Sequence, residues 1–254
     1  TLLHRVFGRS FHRFLGYTPI SRDRFAELFA PLRHALYPPF FTFAEDDCRN
    51  TAGFAMAWHD LSAALRAMRG RNPPHYQGHR PWNSSWLLIS YLETLDLEGR
   101  RIIDAGCGWG IASVYCALRG AQVCAVDIDP HVFPFVEVLC DLNNVKVKPV
   151  TAGFDEVRSE LFDEVDLLIG ADICFRAPMI GALFGLFQRG IRAGISQVAV
   201  TDPGRIPYRD LVTRCIADLG AHEDAWQTTE PLLAWPGERP SICGRLLRIV
   251  APDA

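Results

Sequence analysis

Short apolar runs alternate with longer amphipathic segments over the second two thirds of the chain. The apolar runs have the length and the branched residues of buried strands, and the longer segments repeat their apolar residues at helical spacing. Strands that alternate with helices are typical of a parallel sheet covered by helices on both faces. The pattern predicts strands near residues 101–105, 122–127, 145–150, 165–171 and 197–202.

The end of the chain has a different pattern. Residues 225–228 and 241–250 flank a turn that contains Pro and Gly at 235–240, as in an antiparallel hairpin. The complete prediction is an α/β fold: a Rossmann-like sheet of seven strands, mostly parallel, with an antiparallel C-terminal hairpin. In such a sheet a ligand binds at the carboxyl ends of the strands.

The N-terminal part of the chain is predicted to be helical. Apolar residues recur at three- and four-residue steps over 25–36 and again over 51–68. A Pro-rich turn at 72–74 ends this region, so we predict a helical extension or lid at 1–79 and a ligand-binding domain at 80–254. The first twenty-two residues contain Arg but no acidic residue, which fits a basic arm, a transit-like segment or a solvated helix face.

Composition restricts the class of protein. The chain has 254 residues, of which 49% are hydrophobic and 22% charged, and its formal net charge is -3. These values are typical of a globular protein, and no apolar run is long enough to cross a bilayer. We therefore expect a cytoplasmic protein with no membrane partner. The cysteines lack zinc spacing, so no metal site is predicted, and no nucleic-acid-binding motif accompanies the Arg residues.

One segment indicates a nucleotide-like ligand. The run Asp104-Ala105-Gly106-Cys107-Gly108-Trp109-Gly110 directly follows a predicted strand and precedes a helical segment. Its glycines leave the backbone bare, so that a ligand can lie against it. A second predicted strand ends in Asp127, about twenty residues further on, at the distance from which a carboxylate reaches ribose hydroxyls. Dinucleotides and S-adenosylmethionine both fit this outline.

The glycine spacing separates these two ligands. Dinucleotide sites carry G-x-G-x-x-G, whereas this chain has D-x-G-x-G-x-G, which resembles motif I of the class I, seven-stranded S-adenosylmethionine methyltransferases. Residues 170–175 match the D-x-x-[YF] signature of the protein-lysine methyltransferases in that class. Residues 127–130, 139–143 and 201–205, with a helix led by Trp82, resemble the electron-transfer-flavoprotein β-subunit lysine methyltransferase branch. The resemblance covers about residues 80–250.

The resemblance implies a cofactor site and an acceptor site. Alternatives stay open for some of the residues, since Asp104 and Asp172 could each cap the following helix and Trp82 could be a core aromatic. A further cofactor contact is expected around 151–154. For the cofactor, the resemblance assigns Asp104 and the backbone of Gly106, Gly108 and Gly110 to the methionine end, Asp127 to the ribose, Ile128 to the adenine, and Trp82 to closure over the methionine end.

The acceptor site is expected after the fourth and fifth strands. There the Asp172 carboxylate would orient an acceptor amine through a charge-assisted hydrogen bond, and Phe175 would line the channel. The negative charge of Asp172 favours the protonated amine, so orientation suits this residue better than proton removal. Arg205 is available for an acidic group of the substrate, or else belongs to a turn built by Pro and Gly.

These inferences predict an enzyme, an S-adenosylmethionine-dependent methyltransferase acting on a protein lysine. The alternative is methylation of a small-molecule nitrogen or oxygen on the same fold. A third hypothesis is a non-catalytic scaffold, which the intact acidic and glycine positions disfavour. The expected partner is therefore a protein or small-molecule methyl acceptor, and nucleic acid is not expected.

Overall fold

The computed structural model describes residues 74, 76–78, 82–228 and 242–251. The predicted extension at 1–79 lies outside these residues apart from 74 and 76–78. The predicted turn at 235–240 also lies outside them.

Strands and helices alternate along the described chain as the hydrophobic pattern predicts. Two single turns of 3-10 helix lie at Pro130–Val132 and Ser159–Phe162. The main elements are α1 Asn83–Leu92, β1 Arg101–Ala105, α2 Ile111–Leu118, β2 Gln122–Asp127, α3 Phe133–Asn143, β3 Lys148–Thr151, β4 Leu167–Ala171, α4 Met179–Arg192, β5 Gln197–Asp202, α5 Ile206–Leu219, β6 His222–Gln227 and β7 Cys243–Val250.

The strands form one seven-stranded sheet in the order β3-β2-β1-β4-β5-β7-β6. Strands β1 to β5 are parallel, and β7 runs antiparallel to both β5 and β6. The predicted sheet with its antiparallel C-terminal hairpin is thus confirmed. The strand order reverses between β1 and β4, so the carboxyl ends of these two strands border the crevice in which such sheets bind ligands.

Successive residues of β1 face two different hydrophobic cores. Ile102 belongs to the core under α1, α2 and α3, whereas Ile103 belongs to the core under α4 and α5. Both side chains are almost fully buried. A strand covered on both faces has no solvent-exposed face, which explains why these strands appear in the sequence as nearly continuous apolar runs.

Two strands begin later than predicted. Strand β3 starts at Lys148 because the chain leaves α3 through Asn144 in the left-handed conformation (φ 56°), and the Val145 N–H donates to the Cys140 carbonyl at 3.1 Å. Strand β4 starts at Leu167 because the Val165 N–H closes a turn onto the Phe162 carbonyl. In both places the backbone N–H is already bonded within a turn, so it cannot pair with a neighbouring strand and the strand begins later.

Within the described part of the chain, no helix combines the length and the apolar character that a bilayer crossing requires.

Candidate functional site

A cavity of about 470 Å³ lies at the carboxyl ends of β1, β2, β3 and β4. The loops that follow these four strands line it, together with Trp82, Ser85 and residues 76–78. Each residue that the sequence assigned by name to the cofactor or acceptor site lines this cavity, with the exceptions of Gly110 and Arg205. The sheet therefore gathers into one place residues that are up to 93 positions apart in the chain, from Trp82 to Phe175.

Glycine is needed at the three positions after β1 for different structural reasons. All three have positive φ, the left-handed region that glycine adopts without strain. A Cβ on Gly106 would lie 2.7 Å from Ile173 Cγ2, so close packing excludes a side chain there. A Cβ on Gly108 would meet no protein atom within 4 Å, and this residue lines the cavity, so its bare backbone leaves space for a ligand.

Gly110 has a structural position instead. It is the N-cap residue of α2, and a Cβ there would lie 3.0 Å from both methyl groups of Val136 on α3. The sequence motif placed Gly110 beside the ligand, but the fold turns it away, towards the contact between α2 and α3. The ligand contact predicted for its backbone has no support from the cavity lining.

Asp127 ends β2 and is 9% exposed. Its Oδ2 accepts the N–H of Gly108 at 3.0 Å, and its Oδ1 accepts the N–H of Asp129 at 2.9 Å. Burial raises the pKa of Asp127, while these backbone donors act in the opposite direction. The Ile128 N–H is a third backbone donor to this carboxylate. Because its two oxygens have about four acceptor sites, three donors leave capacity for a ligand hydroxyl. Ile128, half exposed, presents an apolar wall next to it.

Asp104 lies deeper, at 2% exposure, and accepts a hydrogen bond from the Ser113 hydroxyl at 2.6 Å. Burial raises the pKa of Asp104 to about 6, and the Ser113 bond only partly offsets this effect. Gly110 is the N-cap residue of α2 and makes no side-chain cap. The Asp104 carboxylate instead accepts from both the hydroxyl and the backbone N–H of Ser113, so it binds the first turn of α2, as the capping alternative expects. This contact holds the carboxylate beside the cavity.

Residues 76–78, which we call the rim segment, border the same cavity. The Trp82 indole N–H donates to the Gln77 carbonyl at 2.9 Å, and the Trp109 indole N–H donates to the Gly78 carbonyl at 2.8 Å. Gly78 also packs so closely on Val132 that an added Cβ would lie 2.6 Å from its methyl group.

The alternative that Trp82 is only a core aromatic is wrong, because its side chain lines the cavity and binds the rim segment. The role of Trp109 was missed at the sequence level. Its ring stacks on Phe135 with centroids 4.6 Å apart, which orients the indole towards the rim segment. A large aromatic residue between two motif glycines was the only signal available.

The loop after β3 supplies the expected further wall of the cavity. Gly153 and Phe154 line it, and the Gly153 N–H donates to the Glu156 carboxylate at 2.8 Å. Arg189, on α4, donates to the Phe154 carbonyl at 2.6 Å. The sequence placed a contact in this region, and the side chain that holds the loop comes from thirty-five residues away.

Asp172 follows β4 and leaves the sheet in the left-handed conformation (φ 63°), with its N–H bonded to the Thr201 carbonyl at 2.8 Å. Its side chain is 6% exposed and lines the cavity next to the half-buried Phe175. The alternative that Asp172 caps the following helix is wrong, because Pro178 is the N-cap of α4 and no side chain caps that end.

Arg205 differs from its sequence prediction. It was expected to be available for an acidic substrate group, but its guanidinium contacts both carboxylate oxygens of Asp172, with Nη2 at 3.0 Å from Oδ2. The same guanidinium lies 3.4 Å from Oδ2 of Asp202, which is fully buried. Arg205 does not line the cavity, because these two carboxylates hold it behind the wall.

Comparison with known proteins agrees with this geometry. The family model for ribosomal protein L11 methyltransferase matches residues 83–174. The chain is 31% identical over 113 residues to an electron transfer flavoprotein beta subunit lysine methyltransferase from Danio rerio, covering 44% of this chain and 43% of that protein. It is 36% identical over 93 residues to a magnesium-protoporphyrin O-methyltransferase from Rhodobacter capsulatus, covering 34% and 38%. The chain thus spans about two fifths of the length of these curated relatives.

A solved structure extends the match beyond sequence. The ribosomal protein L11 methylase from Lactobacillus delbrueckii subsp. bulgaricus matches with a TM-score of 0.50 at 15% identity, over 68% of this chain and 81% of that one. The described region has the fold of a class I methyltransferase domain. In this domain the segment matched by the family model runs from α1 to the loop after β4, and it ends just before Phe175.

The cavity of this domain is acidic. Asp104, Asp127, Asp155 and Asp172 line it, against the single guanidinium of Arg176 among the described lining residues. Cys107 lies in the same wall, and burial raises the pKa of its thiol well above the usual value, so it is a neutral packing group. In the described part of the chain, no group of His, Cys, Asp and Glu is arranged to hold a metal ion. This distribution of charge suits a ligand that carries positive charge.

Proposed function

We propose that this chain binds S-adenosylmethionine and transfers a methyl group to the side-chain amine of a protein lysine. The observation that carries the proposal is the acidic cavity at the point where the strand order reverses, with carboxylates at the carboxyl ends of β1, β2 and β4. S-adenosylmethionine carries a sulfonium, an ammonium and a carboxylate, and so a net positive charge, together with a neutral adenosine.

The residues present fit the adenosine part. Asp127 keeps acceptor capacity for a ribose hydroxyl, because its three backbone donors, from Gly108, Ile128 and Asp129, leave one of about four acceptor sites. Ile128 offers an apolar surface for the adenine, and Gly108 leaves the space that a side chain would fill. The cavity volume of about 470 Å³ also falls within the range of small-molecule sites.

The residues also fit the methionine part. The Asp104 carboxylate is buried beside the cavity, and a cationic ammonium next to it would favour its ionised form and lower its raised pKa. Trp82 and the rim segment border the same space, where they would exclude water. When bound, the cofactor supplies a methyl group on a positively charged sulfur. The protein then needs mainly to position the acceptor and keep water out.

Asp172 and Phe175 form the proposed acceptor side. A lysine amine has an unperturbed pKa of about 10.4, so its neutral form costs roughly 4 to 5 kcal/mol at pH 7. Removal of water beside a cationic ligand lowers this cost. The Asp172 carboxylate would accept an N–H of the amine and aim its lone pair, while Phe175 lines the approach. The resemblance of residues 170–175 to the protein-lysine methyltransferases supports this choice of acceptor.

A small-molecule nitrogen or oxygen acceptor is the second candidate. It is favoured by Arg176, which is exposed and lines the cavity, where it would pair with an anionic group of a metabolite. The relative from Rhodobacter capsulatus is named for such an acceptor. The scaffold hypothesis is weaker, because binding alone does not require an ordered Asp172 and Phe175 in the cavity. The cytoplasmic location stays a prediction.

Methyl transfer from tritiated S-adenosylmethionine to a heat-treated cell lysate tests the proposal. The lysate is separated into macromolecular and small fractions, and the macromolecular fraction is hydrolysed to find labelled methyllysine. We expect label in methyllysine, with much less transfer by the Asp127→Ala variant. Label in the small fraction alone would select the metabolite acceptor. Cofactor binding without transfer to either fraction would favour the scaffold.

A further inference from the structure

Arg205 lies behind the acceptor wall and beyond the family-model match, which ends at residue 174 and includes Asp172. Strands β4 and β5 are parallel neighbours with Ala171 opposite Thr201, so Asp172 and Asp202 meet at the same edge of the sheet. One guanidinium lies between these two carboxylates. The side chain of Arg205 is 32% exposed, whereas that of Asp172 is 6% exposed.

The turn after β5 directs Arg205 towards Asp172. Oδ1 of Asp202 accepts the N–H of Gly204 at 2.7 Å and the N–H of Arg205 at 2.8 Å, which folds the chain back over the end of β5. Gly204 has φ 96°, a conformation that favours glycine. Helix α5 begins directly after Arg205, so the backbone of this residue is held on both sides.

We infer that Arg205 is a positioning residue that offsets the charge of Asp172, so that the acceptor amine can lie beside this carboxylate in its neutral form. The inference rests on the proposed function, because it needs an amine acceptor. A lone carboxylate at this place would favour the ammonium form, which has no lone pair for the methyl group. Paired with a guanidinium through both oxygens, the carboxylate keeps its position and an acceptor site, while its field on the amine is reduced.

Other charged groups surround Asp172 and set the background for this effect. No described hydrogen bond or ion pair joins any of them directly to Asp172. Asp202 is connected to Asp172 through Arg205, which contacts both carboxylates. Asp104, Asp127, Asp155 and Arg176 line the same cavity, Arg209 and Arg245 approach Gly204, and Asp202 and Asp210 lie near Cys174.

The test compares Arg205→Gln with Arg205→Lys and with the control Arg209→Gln. Arg209 is exposed on α5, one turn further along, and does not line the cavity. The rate of methyl transfer to the macromolecular lysate fraction is measured from pH 6 to pH 10. Affinity for S-adenosylhomocysteine, by calorimetry, and the melting temperature show whether the cofactor site and the fold are kept.

For Arg205→Gln we expect the rate of methyl transfer at pH 7 to be about tenfold lower. The pH at which the rate rises should increase by about one unit, because an uncompensated carboxylate raises the pKa of the neighbouring amine. Arg205→Lys should lie between this variant and the unchanged protein, and it replaces Arg205→Gln if that variant does not fold. S-adenosylhomocysteine affinity should change less than about twofold in either variant, since Arg205 does not line the cavity.

Two outcomes would contradict the inference, and they are distinguishable. If the unchanged protein transfers methyl groups and the variants show the same pH dependence, the inference is wrong while the proposed function stands. If the unchanged protein binds S-adenosylhomocysteine but transfers nothing to the macromolecular fraction, the proposed lysine acceptor fails and the inference fails with it.

Discussion

The two halves of the cavity hold their carboxylates in different ways. In the cofactor half, Asp127 accepts backbone N–H groups, one from Gly108 nineteen residues earlier and one from Asp129 two residues later. In the acceptor half, Asp172 contacts the guanidinium of Arg205, which lies thirty-three residues further on. Neutral backbone donors fix a carboxylate and leave its charge in place, whereas a guanidinium fixes it and offsets its charge. An aspartate side chain can therefore bind a cationic cofactor in one half and a neutral amine in the other.

The family-model match includes residues from both halves of the cavity. It covers α1 to the loop after β4, which contains Asp104, Asp127 and Asp172, and it ends before Phe175 and the turn that carries Arg205. One fold supports many acceptors, so the acceptor has to be tested on the residues themselves. Paired variants can test whether the two halves act separately.

The largest expected effect comes from Asp127→Ala. Loss of charge-assisted hydrogen bonding to the ribose should weaken S-adenosylhomocysteine binding on the order of 100-fold, because such a bond contributes roughly 1.5 to 3 kcal/mol. Calorimetry measures the affinity. Asp163→Ala, at an exposed position away from the cavity, is the matched control and should bind normally. An affinity equal to that of the control would show that Asp127 does not bind the cofactor.

Asp172→Asn should impair methyl transfer without weakening cofactor binding. We expect the rate of methyl transfer to fall about 30-fold, the equivalent of one charge-assisted hydrogen bond of about 2 kcal/mol. S-adenosylhomocysteine affinity should stay within about twofold, because this residue is assigned to the acceptor and not to the cofactor. The two quantities are compared in the same preparation. Equal losses of rate and affinity would show that the two halves are not separate.

Asp104→Asn addresses the pH dependence of the fold. The pKa of Asp104 is raised from 3.8 to about 6 in the folded chain, so this group favours folding when protonated, and that contribution is lost as the pH rises from about 4 to about 6. The amide keeps an acceptor for Ser113 and does not ionise. Urea unfolding without cofactor should therefore show the variant gaining stability relative to the unchanged protein between pH 4 and pH 7, by roughly 2 to 3 kcal/mol. A difference that is constant with pH would contradict the raised pKa.

The smallest effect is expected for Trp109→Phe. Phenylalanine keeps the stacking on Phe135 but cannot donate to the Gly78 carbonyl, so the rim segment loses one of its two indole bonds. One neutral hydrogen bond contributes about 1 kcal/mol, which corresponds to about fivefold weaker S-adenosylhomocysteine binding. Calorimetry against the Asp163→Ala control measures it. Unchanged affinity would mean that the rim segment does not take part in cofactor binding.

The amino-acid sequence alone determined the sheet and most of the cofactor half. Apolar runs located β1, β2 and β5 to the residue, because strands buried on both faces need continuous apolar side chains. The positions of Asp104 and Asp127 followed from the same logic, since a residue that ends a parallel strand lies at the edge where ligands bind. These features depend on chain neighbours, and so a local pattern is enough to predict them.

The tertiary structure alone decided the contacts between distant segments. Gly110 lies in a motif but packs on Val136, and Arg205 lies in a turn but pairs with Asp172 across two neighbouring strands. The link from Trp109 to Gly78 likewise joins residues thirty-one positions apart. Side-chain direction at a helix start or in a turn depends on what packs against it, and that partner is set by the strand order of the whole sheet rather than by the neighbouring sequence.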